Sequence, residues 1–561
     1  MSKRMVIVGA LGLGILLAIV GGALALREAK GQVLAFCDAP APARATIPSD
    51  AAPTVQMVSG VVRGSYLPDQ GLYRFTGIPY AEAPVGERRF KAPEPVKPWS
   101  GVREAVAFGP PSAQAYDEHE GSLEDFGGDL TNEDSLSVNV WTPSLEGKRP
   151  VMVWLHGGGN AHSSSRLPHY DGASIAQRGD VVFVSLNYRL GIFGFVDMSL
   201  VGGDAYAGSA NNGLRDQMLA LQWVRQNIAR FGGDPDNVTA FGNSAGASDL
   251  SAILGADNPR QYFDRLILQS GSAFLTKAPE TSARMNKAFF ARMGVSSIDQ
   301  LKSLPAASLI EKQEAALKGM LETEVDLLFQ PTMDGVVIKA FPLLAMQAGA
   351  SKDIDLLIGT TANELMLYAL YDPQMLSRRP QDMPELKALP APVRNLVAWL
   401  YMHNRPDMAP GQVAMDIYTD LAFRLPAIRM AEAQTQNGGS VWMYRFDWRV
   451  PDSKVGAPHG IELPFLFDNI ESIGEGFKPQ PQWRSLSHSV QDAWTSFARY
   501  GDPARDAHGQ QSCRKPWASY DLRRRTTMLF DTPMRVVDDP SRWERRLFSG
   551  IPFDRYSDDD R

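Results

Sequence analysis

The chain has 561 residues, 44% hydrophobic and 21% charged, a length and composition that exclude a disordered or fibrous protein and suit a large globular body. A net charge of −7 at pH 7 excludes the basic surface that a nucleic-acid partner requires, so none is expected.

The amino-terminal stretch departs from that average. Lys3 and Arg4 precede a run of 22 uncharged residues, 5–26, long enough to cross a bilayer as a helix, and the basic flank favours a cytoplasmic N-terminus. Ala23-Leu-Ala25 also fits a small-residue cleavage site. Residues 1–26 therefore read as a signal anchor or a cleaved signal peptide. On either reading the remainder is exported, held at the inner membrane and facing the periplasm or cell exterior, or secreted. Residues 27–53, rich in Ala and Pro, read as a tether. Cys37 and Cys513 are the two cysteines; they pair in an oxidising compartment or stay as thiols. Phe36 is too bulky to precede a lipoprotein cysteine. No linker-like break interrupts residues 54–561, which read as one domain.

Along that body, 55–63 alternates as strand and turn, 73–80 leads into a Pro-rich loop, and 133–141 reads as a strand. Residues 151–155 are wholly apolar, as in a strand buried on both faces of a parallel sheet. They end in His156-Gly-Gly-Gly159, glycines that let backbone amides face a ligand at the carboxyl end of a central strand. Residues 160–170 are expected at the rim of such a site. A strand at 181–187 and an amphipathic helix over 215–230 follow, with Met218, Leu221, Val224 and Ile228 on one face. Later strands are expected at 266–270, 355–360 and 441–446, and a helix at 489–500. Helical stretches are expected at 276–328 and 368–436, the second as a cap. The β-α-β order predicts a doubly wound, mostly parallel sheet flanked by helices.

The stretch that carries chemistry lies at 238–254. Four strand-like residues run into Gly242-Asn-Ser-Ala-Gly246, and a helix-compatible segment follows. This is a G-x-S-x-G motif in its strand–turn–helix context. A sharp turn projects the Ser244 hydroxyl, its neighbours must be small, and the new helix aims its positive end at developing charge. A serine needs a base and a group to orient that base. Of eight histidines, His119, His403, His488 and His508 sit in polar surroundings, His162 and His169 in the rim loop, and His156 in a structural position before the glycines. His459 follows a late strand between glycines and is the candidate base. Glu364 follows the 355–360 strand and is the candidate acid; Asp353 and Asp355 are rivals that precede or begin that strand. The order Ser244, Glu364, His459 is that of the α/β-hydrolase fold. Amides of Gly158, Gly159 and Ala245 are placed to form an oxyanion hole.

Ordered motifs then carry a resemblance over residues 54–550. They include Gly77-Ile-Pro-Tyr-Ala81, Glu133-Asp-Ser-Leu-Ser-Val-Asn-Val-Trp141, His156-Gly-Gly-Gly159, Asn187-Tyr-Arg-Leu-Gly191 and Asn212-Gly-Leu-Arg-Asp216. Further on come 231–238, the serine turn, Gln269-Ser-Gly271, Asp334-Gly335 and Pro458-His-Gly-Ile-Glu462. The chain resembles the type-B carboxylesterase/lipase family, the cholinesterase-like branch of the α/β-hydrolases. The resemblance implies Ser244 as nucleophile, Glu364 as acid, His459 as base, Gly158, Gly159 and Ala245 as oxyanion donors, and Ser270 as a polar neighbour of the triad. It implies hydrolysis of a small-molecule carboxylic ester through an acyl-enzyme, with no metal and no cofactor. A catalytically silent binding or adhesion protein and a true lipase are the alternatives.

Four positions depart from the family. Asn243 stands where Glu usually precedes the nucleophile, removing a charge and arguing against a choline-ester pocket. Ser135 replaces a cysteine, Leu365 follows the acid where glycine is usual, and Asn160 replaces an aromatic, which implies a more polar acyl or rim region.

Overall fold

A computed structural model describes residues 31–34 and 52–549, apart from 272, 321–327, 384–385, 387–388, 452, 475–476, 507 and 515. The expected segment 1–26, most of the tether and Cys37, with the question of its pairing to Cys513, lie outside the described residues. No helix among the described residues is long and apolar enough to cross a membrane.

The early strands are β1 (Gln32–Val33), β2 (Thr54–Gln56), β3 (Val61–Arg63), β4 (Ser65–Leu67), β5 (Leu72–Pro79), β6 (Val102–Glu104) and β7 (Ser137–Thr142). Those that build the site are β8 (Arg149–Leu155), β9 (Val182–Leu186), β10 (Gly233–Asn243), β11 (Arg265–Gln269), β12 (Asp355–Thr361) and β13 (Val441–Phe446). Two more close the sheet, β14 (Thr526–Phe530) and β15 (Arg535–Asp538). A 12-stranded sheet runs β1-β15-β14-β13-β12-β11-β10-β8-β9-β7-β5-β4, and β2, β3 and β6 form a small second sheet. The stretch from β14 through β13, β12, β11, β10 and β8 to β9 is parallel. Antiparallel strands flank it on both sides. The fold is α/β, as expected.

Strand β8 explains why the centre is stable. Val151, Val153 and Leu155 enter one apolar layer, and Met152 and Trp154 enter the other. That is the period-2 alternation of a strand buried on both faces; each such side chain removed from water contributes roughly 1.5–3 kcal/mol. The helix Asn212–Asn227 covers one face with Leu221 and Val224, and a tightened turn, Ile228–Phe231, continues it. Ser135 is buried, with its Oγ 2.8 Å from that of Ser112, so two hydroxyls meet where the resemblance implies a cysteine.

Strand order then locates a crevice. From β8 the chain crosses to β9 on one side, whereas from β10 it crosses to β11 on the other. The loops leaving the carboxyl ends of β8 and β10 therefore diverge, which is where open α/β sheets hold ligands. Those loops are the glycine stretch after Leu155 and the turn at Ser244.

Candidate active site

Ser244 has φ 56° and ψ −122°, a sparsely populated region that costs of order 1–3 kcal/mol for a side-chain-bearing residue. The surroundings enforce it. Its amide donates to the Gln269 carbonyl at 2.9 Å, and the helix Ala245–Ile253 begins at the next residue. Both motif glycines are sterically required. A Cβ at Gly242 would lie 2.8 Å from the Leu155 carbonyl oxygen, and one at Gly246 only 2.3 Å from it. The motif is thus jammed against the end of β8, with the amide end of a helix beside the hydroxyl-bearing residue.

The glycine loop runs along the same turn: a Cβ on Gly157 would sit 3.1 Å from the Ser244 Cβ. Gly158, Gly159 and Asn160 have φ of 87°, 62° and 59°, three successive left-handed residues. The Gly158 carbonyl accepts from the amides of Ala161 and His162 at 3.0 and 3.2 Å. Asn160 does not line the rim as its polarity implied. It is fully buried, with Nδ2 donating to Asp249 Oδ1 at 3.0 Å. Its Oδ1 accepts from the Tyr188 hydroxyl at 3.3 Å, and that hydroxyl also reaches the His156 carbonyl at 2.9 Å. Burial pushes the Asp249 carboxyl up to about 7. His156 is a structural residue: its ring stacks on Tyr188 at 4.6 Å, and burial holds its pKa down at about 4.

Glu364 and His459 are brought together by the ends of β12 and β13. Glu364 is fully buried; its Oε1 accepts from the Thr361 amide and the Ser270 hydroxyl, each at 2.7 Å. Those two bonds aim Oε2 at His459, whose Nδ1 donates to it at 2.6 Å. The His459 amide also donates to the Glu364 carbonyl at 3.2 Å. Ser270 reaches Glu364 from a left-handed turn of its own, φ 51°, so its hydroxyl is a direct neighbour of that carboxylate. Burial lowers the His459 pKa, but the charge and hydrogen bond of Glu364 outweigh it, and the net shift is upward. Its Nε2 is buried with no hydrogen-bond partner: a ring held by one nitrogen, with the other free to take a proton. The rivals lie elsewhere. Asp355, at the start of β12, pairs with Arg265 at 3.1 Å, and the Asp353 carbonyl is taken by Arg260.

Asn243 and Glu462 join the serine turn to the histidine loop. Asn243 Nδ2 donates to Glu462 Oε1 at 3.1 Å, and Gln269 Nε2 to the same oxygen at 3.2 Å. Trp494 Nε1 donates in turn to Gln269 Oε1 at 3.2 Å. Burial, with the nearby Glu364 charge, raises Glu462 to about 7. Glu462 and Asp249 were given no role from sequence. The one available signal for Glu462 was its place three residues after His459; Asp249 had none beyond sitting one helical turn past the nucleophile. In the rim, His162 Nδ1 lies 3.3 Å from Glu120.

A parallel sheet with a strained serine at one strand end, and an acid–histidine pair at the ends of two others, defines an α/β-hydrolase. The sequence profile of the carboxylesterase family matches residues 51–546. The chain is 37% identical over 495 residues to para-nitrobenzyl esterase of Bacillus subtilis strain 168, covering 87% of this chain and 96% of that one. It is 34% identical over 449 residues to phenmedipham hydrolase of Pseudarthrobacter oxydans, covering 78% and 88%. The crystal structure of Geobacillus stearothermophilus carboxylesterase EST55 superposes with a TM-score of 0.77 at 37% identity, covering 88% of this chain and 99% of that one. The chain belongs to the carboxylesterase family and is a serine carboxylesterase.

Proposed function

We propose that this carboxylesterase hydrolyses small-molecule carboxylic esters through an acyl-enzyme built on Ser244, with His459 as general base and Glu364 as the acid. The observation that carries the reading is the 2.6 Å Glu364–His459 bond, which leaves a buried, unpartnered Nε2 on a loop after the carboxyl end of β13, the same edge of the parallel strands from which the Ser244 turn leaves β10. In the acylation step His459 Nε2 takes the Ser244 proton as Oγ attacks the ester carbonyl. The carbonyl oxygen, now an alkoxide, is received by the amides of Ala245, Gly158 and Gly159; losing one such donor typically costs about 100- to 1000-fold in turnover. His459 then returns its proton to the departing alcohol. Water attacks the acyl-enzyme by the same route, and the acid is released. Glu364 stabilises the imidazolium without taking the proton.

The test is turnover of p-nitrophenyl acetate, butyrate and octanoate by the wild-type chain and Ser244→Ala. Loss of turnover and of organophosphonate labelling on substitution supports the mechanism, and the chain-length profile sizes the acyl pocket. A folded wild type that neither turns over nor labels would overturn it in favour of a silent binding protein.

We also propose that residues 1–26 direct export of the chain, in keeping with the uncharged run behind Lys3 and Arg4. Fractionation with N-terminal sequencing distinguishes an intact membrane anchor from a cleaved peptide. Cytoplasmic recovery of the full-length chain would overturn both.

A further inference from the structure

The Asn160–Asp249 bond connects the two bodies that supply the proposed oxyanion donors. Ser244, Ala245 and Asp249 belong to the nucleophile turn and its helix; Gly158, Gly159 and Asn160 belong to the loop after β8. Apart from the amides of Ala161 and His162 on the Gly158 carbonyl, the tip of the loop is fixed through Asn160. Its glycines carry no side chain, and around Gly159 there is open space where a Cβ would stand. Left-handed backbone at three successive residues is held only where surrounding contacts over-determine it, and those contacts converge on Asn160. Its carbonyl accepts from the Gly191 amide at 2.7 Å, its Oδ1 from Tyr188 at 3.3 Å, and its Nδ2 reaches Asp249 at 3.0 Å.

Asp249 is an expensive residue at such a place. It is fully buried, and its contacts are amides: Asn160 on Oδ1 and Gln217, from the helix Asn212–Asn227, on Oδ2 at 2.5 Å. A buried carboxylate is tolerated when such bonds satisfy it. An apolar residue would serve helix packing better, so the carboxylate marks a requirement for an acceptor at that point.

We propose that Asp249, acting through Asn160, is a positioning residue that sets the Gly158 and Gly159 amides against Ser244; this rests on the oxyanion role proposed above. Removing the acceptor leaves the Asn160 amide orphaned and frees the loop to relax. Because the amides meet charge only in the transition state, the loss falls on kcat and spares KM.

Asp249→Ala, Asp249→Asn and Asn160→Gly, compared with wild type and Ser244→Ala on p-nitrophenyl butyrate, test this. Asp249→Ala is expected to lose about tenfold to a hundredfold in kcat with KM nearly unchanged, the scale of a small misplacement of catalytic groups. Affinity for a trifluoromethyl ketone, which mimics the tetrahedral adduct, falls in parallel. Asn160→Gly keeps the left-handed backbone without strain and reproduces the loss even if Asp249→Ala does not fold. Asp249→Asn restores turnover, since its Oδ1 still accepts from Asn160 and, once the Gln217 amide turns over, its Nδ2 donates to Gln217 Oε1, an oxygen with no partner in the wild type. Wild-type kcat in folded Asn160→Gly or Asp249→Ala overturns the proposal, as does an Asp249→Asn enzyme impaired like Asp249→Ala. If Ser244→Ala retains turnover, the catalytic reading itself fails. If Ser244→Ala is dead while the other variants are unimpaired, only the positioning role fails.

Discussion

Asn243 and Glu462 are 219 positions apart in sequence and 3.1 Å apart in the fold, amide to carboxylate. The residue before Ser244 is thereby bridged to the loop that carries His459, the proposed base. The carboxylate expected at position 243 from the family resemblance is absent, but a carboxyl group lies against Asn243 in space, on Glu462. Two consequences follow for the histidine: its loop is tethered to the serine turn, and a second acidic group, besides Glu364, favours its protonated form.

Glu462→Gln should therefore lower the pKa of His459. The base works when neutral, so the acid limb of kcat/KM reports its titration. With Glu364 and Glu462 both raising that pKa, the wild-type limb is expected above the ordinary histidine value of about 6.5. Removing the Glu462 carboxylate moves it to lower pH. A pH–rate profile checks this, and an unmoved limb would show that Glu462 does not act on the base.

Glu364→Gln should cut kcat by about a thousandfold to ten-thousandfold, as when a neutral amide leaves a catalytic histidine in the wrong tautomer. The cause here is local. Two donors already occupy Oε1, so a glutamine that keeps its oxygen toward Thr361 and Ser270 turns its NH₂ toward Nδ1. The ring then carries its proton on Nε2, where the base must be free. Single-turnover acylation rates distinguish this from a folding defect, and kcat within tenfold of wild type would exclude Glu364 as the acid.

The central strands and the candidate residues Ser244, Glu364 and His459 were legible because each strand, with the turn that follows it, is written in contiguous residues. A wholly apolar strand such as 151–155 reads as doubly buried, and a glycine either side of Ser244 reads as a tight turn. Strands β14 and β15 escaped notice because 526–530 is a short segment flanked by Arg523, Arg524 and Arg525, which mask its burial. The supporting residues escaped for a different reason. Asn160 is followed in sequence by rim-like polar residues, yet its partner Asp249 is 89 positions away. No local pattern announces a hydrogen bond of that separation, so its polarity was assigned to the rim when it belongs to the interior.

Two glycine substitutions near the serine should differ sharply in effect. Gly246→Ala drives a Cβ to 2.3 Å from the Leu155 carbonyl and 2.6 Å from that of His156. Both are backbone oxygens, at the last residue of β8 and the residue after it, and cannot step aside, so a loss of about 3 kcal/mol or more is expected, the scale of severe core overpacking. Gly159→Ala meets no atom within 4 Å, and its cost is the left-handed backbone alone, about 1–2 kcal/mol. Urea midpoints of the two variants decide it. Equal destabilisation would mean that packing against β8 is not what fixes the motif glycine.

The two buried carboxyls, Asp249 and Glu462, also make stability depend on pH with a definite sign. Burial raises both to about 7, from ordinary values of 3.8 and 4.5. Between the ordinary and raised values the folded chain holds protons that the unfolded chain has released, so stability falls as pH rises. The contribution is fully present below about pH 4 and is lost by the time pH passes about 7. For Asp249 the rise from 3.8 to about 7 corresponds to a contribution on the order of 4 kcal/mol. Paired carboxylates elsewhere act oppositely at lower pH, so the clean comparison is between wild type and Asp249→Asn from pH 5 to pH 8. The wild type should lose urea resistance across that interval relative to the variant, whose amide cannot ionise. Parallel curves for the two proteins would mean that Asp249 stays charged in the fold throughout, held by Asn160 and Gln217 alone.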